Sequence, residues 1–369
     1  MSTNIHQAVD WPSHGGQAAA LLKRFGLPAD HGVEDVSANL NPLGPPDWVA
    51  HWLASAVGGL SRYPVPDYPD ARQAIAAHNA VSPAEVLLTN GGAEAIFLAA
   101  AQHAGGRALL LTPSFGEYAR ACLAHRLEVV EHVLAAPHFA CQVAELLAQA
   151  ENVDVVFVCR PNNPTGTVMP RETLEALLAH TQATHTQVVV DEAFIDLALG
   201  VDALTPLLAR YRHLVLLRSM TKFYTLPGLR LGYVLASENS LQAMSQHQPP
   251  WSVNHLAADL VAPLLADQAF AHKTQAWLAT EQPRLGNALQ AMGLDVVSSH
   301  SCFYLIRPGV AMHESGMTSA VLFERLLRQG WLARHTHSFK GLEGDWLRVA
   351  LRDEATNHRL LKGLHDCLC

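Results

Sequence analysis

The sequence has few charges, no long apolar run and none of the common nucleotide or metal signatures. Charged residues are 16% of the 369 positions and hydrophobic residues 49%. That balance excludes a disordered, solvating chain. A chain of this size buries roughly 75% of the surface its unfolded form exposes, so a full core is expected. No apolar stretch approaches the ~20 residues of a membrane span. The opening MSTNIHQAVDWPSHGG has no basic start leading into an apolar run, so no secretory leader is expected. With 25 basic against 33 acidic side chains and a net charge of -8, the chain lacks the basic footprint of a nucleic-acid binder. Its six cysteines (Cys122, Cys141, Cys159, Cys302, Cys367 and Cys369) form no C-x-x-C pair and predict a reduced, cytoplasmic protein.

Missing motifs narrow the chemistry further. G-x-G-x-x-G, the Walker pattern and H-E-x-x-H are all absent. His335-x-His337 is the nearest approach to a metal pair. Among 21 histidines such a spacing arises by chance, and no metal is expected. Ser219-Met-Thr-Lys222 matches S-x-x-K of the penicillin-recognising hydrolases, but the S-D-N and K-T-G patterns that must accompany it do not occur.

What is present is an alternation. Short apolar runs at 108–111, 153–159, 187–190, 214–217 and 232–236 read as strands covered on both faces. Helical patterns lie between them at 93–103, 118–125, 171–180 and 203–212. Such alternation implies an α/β architecture with a mostly parallel sheet between helices. Strand patterns return at 302–307 and 346–351 after a helix-rich stretch. The expected division is an arm over 1–35, a large domain over 36–245 and a smaller C-terminal α+β domain over 246–369.

Three polar groups fall at the carboxyl ends of predicted strands, where open α/β sheets bind ligands. Asn163 stands in the PNNPTG turn after 153–159, Asp191 ends 187–190, and Lys222 follows 214–217. Taken singly, these are a turn signal, a helix cap and a surface lysine. Together, in order and on successive strand ends, they describe a pocket. A lysine in a dry pocket loses its proton and attacks a carbonyl as a neutral amine. An aspartate holds a protonated ring nitrogen. Ser219 and Arg230 flank Lys222, and Asn90-Gly-Gly-Ala-Glu94 opens a helix, so both stretches suit a phosphate.

PNNPTG, VVVDEAF, SMTKFYTLPGLRLGY and LRVALR together resemble the fold-type I pyridoxal-phosphate enzymes of the aspartate aminotransferase superfamily, from about His14 to the C-terminus. The resemblance implies a seven-stranded large-domain sheet and pyridoxal 5'-phosphate as cofactor. It implies Lys222 as the lysine joined to the cofactor aldehyde, Asp191 on the pyridine nitrogen and Asn163 on the ring hydroxyl. Gly92, Ala93, Ser219, Thr221 and Arg230 would hold the phosphate, and Phe115 would stack on the ring. Tyr63 would reach the partner subunit's cofactor phosphate, which implies a homodimer. His14, Gly15, Gly16, Asn41, Arg334 and Arg348 would meet the substrate.

Two branches compete within that superfamily. SANLNPLG, RYPVPDYP, QPPWSVN and DEAFIDL resemble the threonine-phosphate decarboxylases of cobalamin biosynthesis more than the histidinol-phosphate aminotransferases. Phe194 stands where many aminotransferases carry a tyrosine, which also favours decarboxylation. The expected reaction is conversion of L-threonine O-3-phosphate to (R)-1-amino-2-propanol O-2-phosphate and CO₂. Histidinol-phosphate aminotransferase is the alternative. A third reading, a cofactor-binding transcriptional regulator, is disfavoured because only Lys23 and Arg24 are basic ahead of residue 36. Arg160, where a small residue is more usual, reads equally as a substrate contact or a surface arginine.

Overall fold

The computed structural model describes residues 11–369. Its strands run in chain order as β1 (Glu34–Asp35), β2 (Val86–Thr89), β3 (Arg107–Thr112), β4 (Glu128–Val133), β5 (Val155–Cys159), β6 (Gln187–Asp191), β7 (Leu214–Ser219), β8 (Gly232–Ala236), β9 (Leu294–Val296), β10 (Phe303–Pro308), β11 (Trp331–Leu332), β12 (Arg334–His335) and β13 (Leu347–Ala350). The large sheet has the order β2-β8-β7-β6-β5-β3-β4. β8 is antiparallel to both of its neighbours, β7 and β2, and the remaining pairs are parallel. The expected mostly parallel, seven-stranded sheet is therefore present.

Valine-rich strands explain where the core sits. Every residue of β5, β6 and β7 is buried. Alternate residues feed two apolar clusters, one on each face. Phe157, Val189 and Val215 pack with Ile96 and Tyr118, while Val156, Val158, Val188 and Val190 pack with Leu174 and Leu177. Each such side chain contributes about 1.5–3 kcal/mol on burial.

β10 pairs with β9 and β13, and β13 with β12, in a C-terminal antiparallel sheet. The helices Gln268–Ala291 and Glu354–Leu368 start on side-chain caps from Asp267 and Asp353. β1 runs parallel to β11 in a separate two-stranded sheet, which ties the early chain to the C-terminal region. Among the described residues no helix is long and apolar enough to cross a membrane. Two strands of the large sheet went unread in the sequence. β2 is only four residues long. β4 is an edge strand whose glutamates and histidine interrupt the apolar run. The helix expected over 203–212 is a short 3₁₀ turn, Thr205–Ala209, with Pro206 in its first turn.

A buried ionic group binds the strand ends that carry the site. Glu192, just beyond β6, meets Arg218 of β7 at 2.9 Å and Arg160, just beyond β5, at 3.8 Å. Its Oε1 also accepts the Leu204 amide, at 3.1 Å. Arg160 donates to the carbonyls of Met169 and Asp202. All three ionic side chains are buried. Arg160 is thus neither a surface arginine nor a substrate contact: its guanidinium is committed to the scaffold. Glu192→Ala leaves two buried cations without their anion. It is expected to cost about 3–5 kcal/mol of stability, read as a lowered urea-unfolding midpoint.

Candidate active site

Gly91 and Gly92 open the helix Gly91–Ala101 at the end of β2, at the sheet edge where β7 ends in Ser219. β8 enters between those two strands at Gly232, which pairs with both Thr89 and Ser219. A Cβ on Gly232 would lie 2.9 Å from the Gly91 carbonyl carbon and the Gly92 nitrogen. Only glycine lets the helix start sit this close. Gly91 itself has φ +77°, and a Cβ there would meet the Arg230 guanidinium at 2.6 Å. The Ser219 and Thr221 hydroxyls bond each other at 2.8 Å and are buried. A helix N-terminus, two hydroxyls and a guanidinium thus gather at one point, as a phosphate requires. Ala93 lies in the first turn of that helix.

Lys222 follows on the short helix Met220–Phe223. Burial, then the charges of Arg348 and Arg230, hold its ammonium pKa below the usual lysine range. Asp191 ends β6 opposite Cys159 of β5. Burial lifts its carboxyl, while the Tyr118 hydroxyl, the Ala193 amide and the Lys222 charge draw it back down. Tyr118 donates to Asp191 Oδ2 at 2.7 Å, and Ala193 N donates to Oδ1 at 2.9 Å. Phe115 is half-buried and meets Tyr118 edge-on at 6.0 Å. Phe194 is buried against Phe303 and offers no hydroxyl.

On the other side of the pocket stand two arginines. Arg334 and Arg348 are register partners on β12 and β13, hence directly opposite each other. Both are buried, 2% and 5% exposed, and no described carboxylate lies within 4 Å of either. Like charges placed so are mutually destabilising. Burial and the neighbouring Arg334 bring Arg348 down to about 9, and burial brings Arg334 to about 10. Arg348 donates to Asn163 Oδ1 and, at 2.7 Å, to the Ser37 carbonyl. Arg334 donates to the carbonyls of Pro12 at 3.1 Å and Ser13 at 2.7 Å, and to Ser338 Oγ at 2.6 Å.

The early chain closes over this side. His14 Nε2 lies 3.1 Å from Glu117, and its ring is 6.0 Å from Phe115. Gly15 packs on the Ser37 carbonyl, and Gly16 N donates to Ser37 Oγ at 2.8 Å. Asn41 lies differently from the sequence expectation. It is fully buried, and its amide donates to the Phe223 carbonyl and Thr274 Oγ1 while its oxygen accepts from Leu43. It braces the Lys222 segment instead of facing a substrate. Asn39, two residues earlier, is buried with neither amide atom partnered. Tyr63 stands apart from the pocket, 81% exposed and against Trp251 at 4.9 Å.

Sequence reasoning missed Tyr118, Ser37, Glu117 and Asn39. The three-residue step from Phe115 to Tyr118 was the available signal, but a tyrosine opening a helix reads as ordinary core. The donor set fits pyridoxal 5'-phosphate: an anion cradle, a buried carboxylate, a lysine biased toward its neutral form and an aromatic cover, all on one sheet edge. His335 and His337 pack as aromatics around Trp11, at 4.4 and 4.1 Å. Among the described residues no group of three metal-ligating side chains occurs.

Burial and the charge of Arg334 push His335 down to about 3. Between that value and about 6.5 the unfolded chain binds a proton at this ring that the folded chain refuses. Stability therefore falls as pH drops from about 6.5 toward 3. His335→Gln is expected to narrow the gap between urea midpoints measured at about pH 7 and about pH 5.

Comparison with known proteins agrees with this geometry. The chain is 36% identical to a threonine-phosphate decarboxylase of Salmonella typhimurium over 358 residues, 96% of either protein. It is similar in structure to a histidinol-phosphate aminotransferase from Clostridium acetobutylicum, with TM-score 0.85 and 26% identity over 90% of this chain and 98% of the other. An L-threonine-O-3-phosphate decarboxylase from Porphyromonas gingivalis gives TM-score 0.78 and 26% identity over the same shares. A model of the family described as aminotransferase class I and II matches residues 32–364, and the chain belongs to that family.

Proposed function

We propose that this chain is a pyridoxal-phosphate-dependent decarboxylase that converts L-threonine O-3-phosphate to (R)-1-amino-2-propanol O-2-phosphate and CO₂, in the cobalamin-building role the sequence resemblance implies. The observation that carries the reading is the buried Arg334–Arg348 pair, opposed across two strands with no carboxylate among the described residues within 4 Å of either. Such a pair lacks two anionic charges. A substrate bearing both a carboxylate and a phosphate supplies them, through bidentate contacts. The 36% identity to a threonine-phosphate decarboxylase supports the same choice. Histidinol-phosphate aminotransferase is the second reading, favoured by the TM-score of 0.85. Its amine substrate has a phosphate and no carboxylate, which leaves one arginine of the pair without an anion in that half of the reaction.

In this reading Gly92, Ala93, Ser219, Thr221 and Arg230 hold the cofactor phosphate, Asn163 the ring hydroxyl, Asp191 the ring nitrogen and Phe115 the ring face. Bound pyridoxal phosphate supplies an electron sink for the bond broken at the substrate Cα. Arg334 and Arg348 orient the substrate so that the carboxylate, rather than the C–H bond, stands where that sink weakens it. Lys222 would hold the cofactor at its aldehyde, and its Nζ would carry the proton that replaces the lost carboxylate at Cα. His14, Gly15 and Gly16 cover the anion side and exclude water. The 36–245 segment serves as the cofactor-binding domain, with 246–369 contributing the arginines.

The working unit of this reading is a cytoplasmic homodimer. Val57, Leu60, Val65 and Trp251 are exposed like Tyr63, an apolar surface for a second copy that brings Tyr63 to the partner's cofactor phosphate.

The deciding experiment adds L-threonine O-3-phosphate to cofactor-loaded protein without any keto acid. Catalytic CO₂ release is expected, and Lys222→Ala abolishes it. Conversion of the bound cofactor to its amine form without CO₂ would transfer the assignment to the aminotransferase. Gly91→Ala places a methyl against Arg230. It is expected to raise the pyridoxal phosphate concentration for half-loading by roughly tenfold or more, the loss of one charge-assisted hydrogen bond, measured by absorbance titration.

A further inference from the structure

Asp191 has two oxygens, held in different ways. Oδ1 takes the Ala193 amide, two residues along its own chain. Oδ2 takes the Tyr118 hydroxyl, from a helix 73 positions away in sequence. Tyr118 is 1% exposed. Its ring lies nearly parallel to Phe157 at 5.7 Å and 19°, and edge-on to Phe115 at 6.0 Å and 86°. Packed on two sides, the phenol has little freedom to swing, so its oxygen stays at Asp191.

Other groups facing Asp191 do not replace this contact. Lys222, from the segment after β7, acts on the carboxylate through its charge. Cys159, from β5, directs its thiol to the Pro161 carbonyl at 3.3 Å and is pushed up to about 12, chiefly by burial. Burial also keeps the Tyr118 phenol protonated, so it stays a donor. A buried carboxylate stripped of a donor becomes easier to protonate. A neutral acid no longer favours a positively charged nitrogen opposite it.

We propose that Tyr118 is a positioning residue for the reaction: its hydroxyl fixes the plane and the negative charge of Asp191, and thereby the protonation of the cofactor's ring nitrogen. The inference rests on the reading of Asp191 as that nitrogen's partner. It goes beyond that reading by assigning the control of ring protonation to a side chain that acts through its hydrogen bond to Asp191. Phe115 and Tyr118, three residues apart, then divide the work. One covers the ring face, and the other sets the charge at its edge.

The test uses the full-length chain loaded with pyridoxal phosphate carrying ¹⁵N in the ring, comparing wild type with Tyr118→Phe. The variant keeps the ring and its stacking and removes one oxygen. The ¹⁵N chemical shift is followed through a pH series, and cofactor dissociation is measured separately by equilibrium dialysis. In the wild type the ring nitrogen is expected to stay protonated through neutral pH. In Tyr118→Phe its proton is expected to leave about one pH unit lower or more, with the cofactor dissociation constant raised roughly tenfold. Asp191→Asn completes a double-mutant cycle. In that background the loss of the Tyr118 hydroxyl is expected to change the dissociation constant little further. Matching titration and retention in wild type and Tyr118→Phe overturn the proposal, as does a fully additive cycle. A wild type that binds no pyridoxal phosphate is a separate result, and it overturns the cofactor reading instead.

Discussion

Two cations facing each other inside a protein, with no carboxylate of the described residues within 4 Å, set the terms for the rest of this molecule. Arg334 and Arg348 are opposed by the β12–β13 register. Their guanidiniums donate to neutral oxygens, namely the Ser37, Pro12 and Ser13 carbonyls, the Asn163 amide and the Ser338 hydroxyl, and Arg348 Nε is buried without a hydrogen-bond partner. Carbonyl dipoles soften the burial of a cation without cancelling its charge. The surrounding architecture serves this arrangement. β1 docks on β11, which brings Ser37 beneath Arg348, and the 11–16 segment crosses Arg334. The field of Arg348 reaches Lys222 and, after burial and together with Arg230, helps to expel its proton. The same buried charge therefore favours a neutral amine nearby.

The large sheet makes a complementary demand on shape. β8 is antiparallel and enters at the edge where its neighbours end, so its first residue lies against Gly91, Gly92 and Ser219. Gly232 meets that demand by having no side chain. The Arg160–Glu192–Arg218 group meets a second one, because three loops carrying Asn163, Asp191 and Lys222 must end at one level. Chemistry and scaffold are interleaved residue by residue here: Asp191 faces the pocket while Glu192, its neighbour, faces the buried ionic group.

Much of this was legible without coordinates, for a physical reason. Valine-rich runs announce buried parallel strands, and polar residues just beyond them fall at the ligand edge. Asn163, Asp191, Ser219 and Lys222 could be found that way. Harder to read were residues whose role depends on what lies across the fold. Asn41 looks like a free polar group, yet its amide is consumed by Phe223 and Thr274, the latter 233 positions away. Arg160 resembles a ligand contact until Glu192 is seen at its side. Tyr118 passes for core because a hydroxyl on an apolar helix face gives no sign of its acceptor. Asn39 and Ser37 lie in the same SANLNPLG stretch that drew attention to Asn41, and only the backbone path separates their roles.

The segment over Arg334 has a consequence for selectivity. Pro12 and Ser13 already occupy donors that an incoming anion wants. The chain is in effect its own competitor, present at an effective concentration set by its short tether to Ser37. A weakly held ion that engages one arginine must displace those carbonyls with a single contact. A ligand with two anionic ends recoups the displacement at the second arginine. On the proposed reading, a substrate with two anionic ends would therefore be favoured over a small anion that meets Arg334 alone.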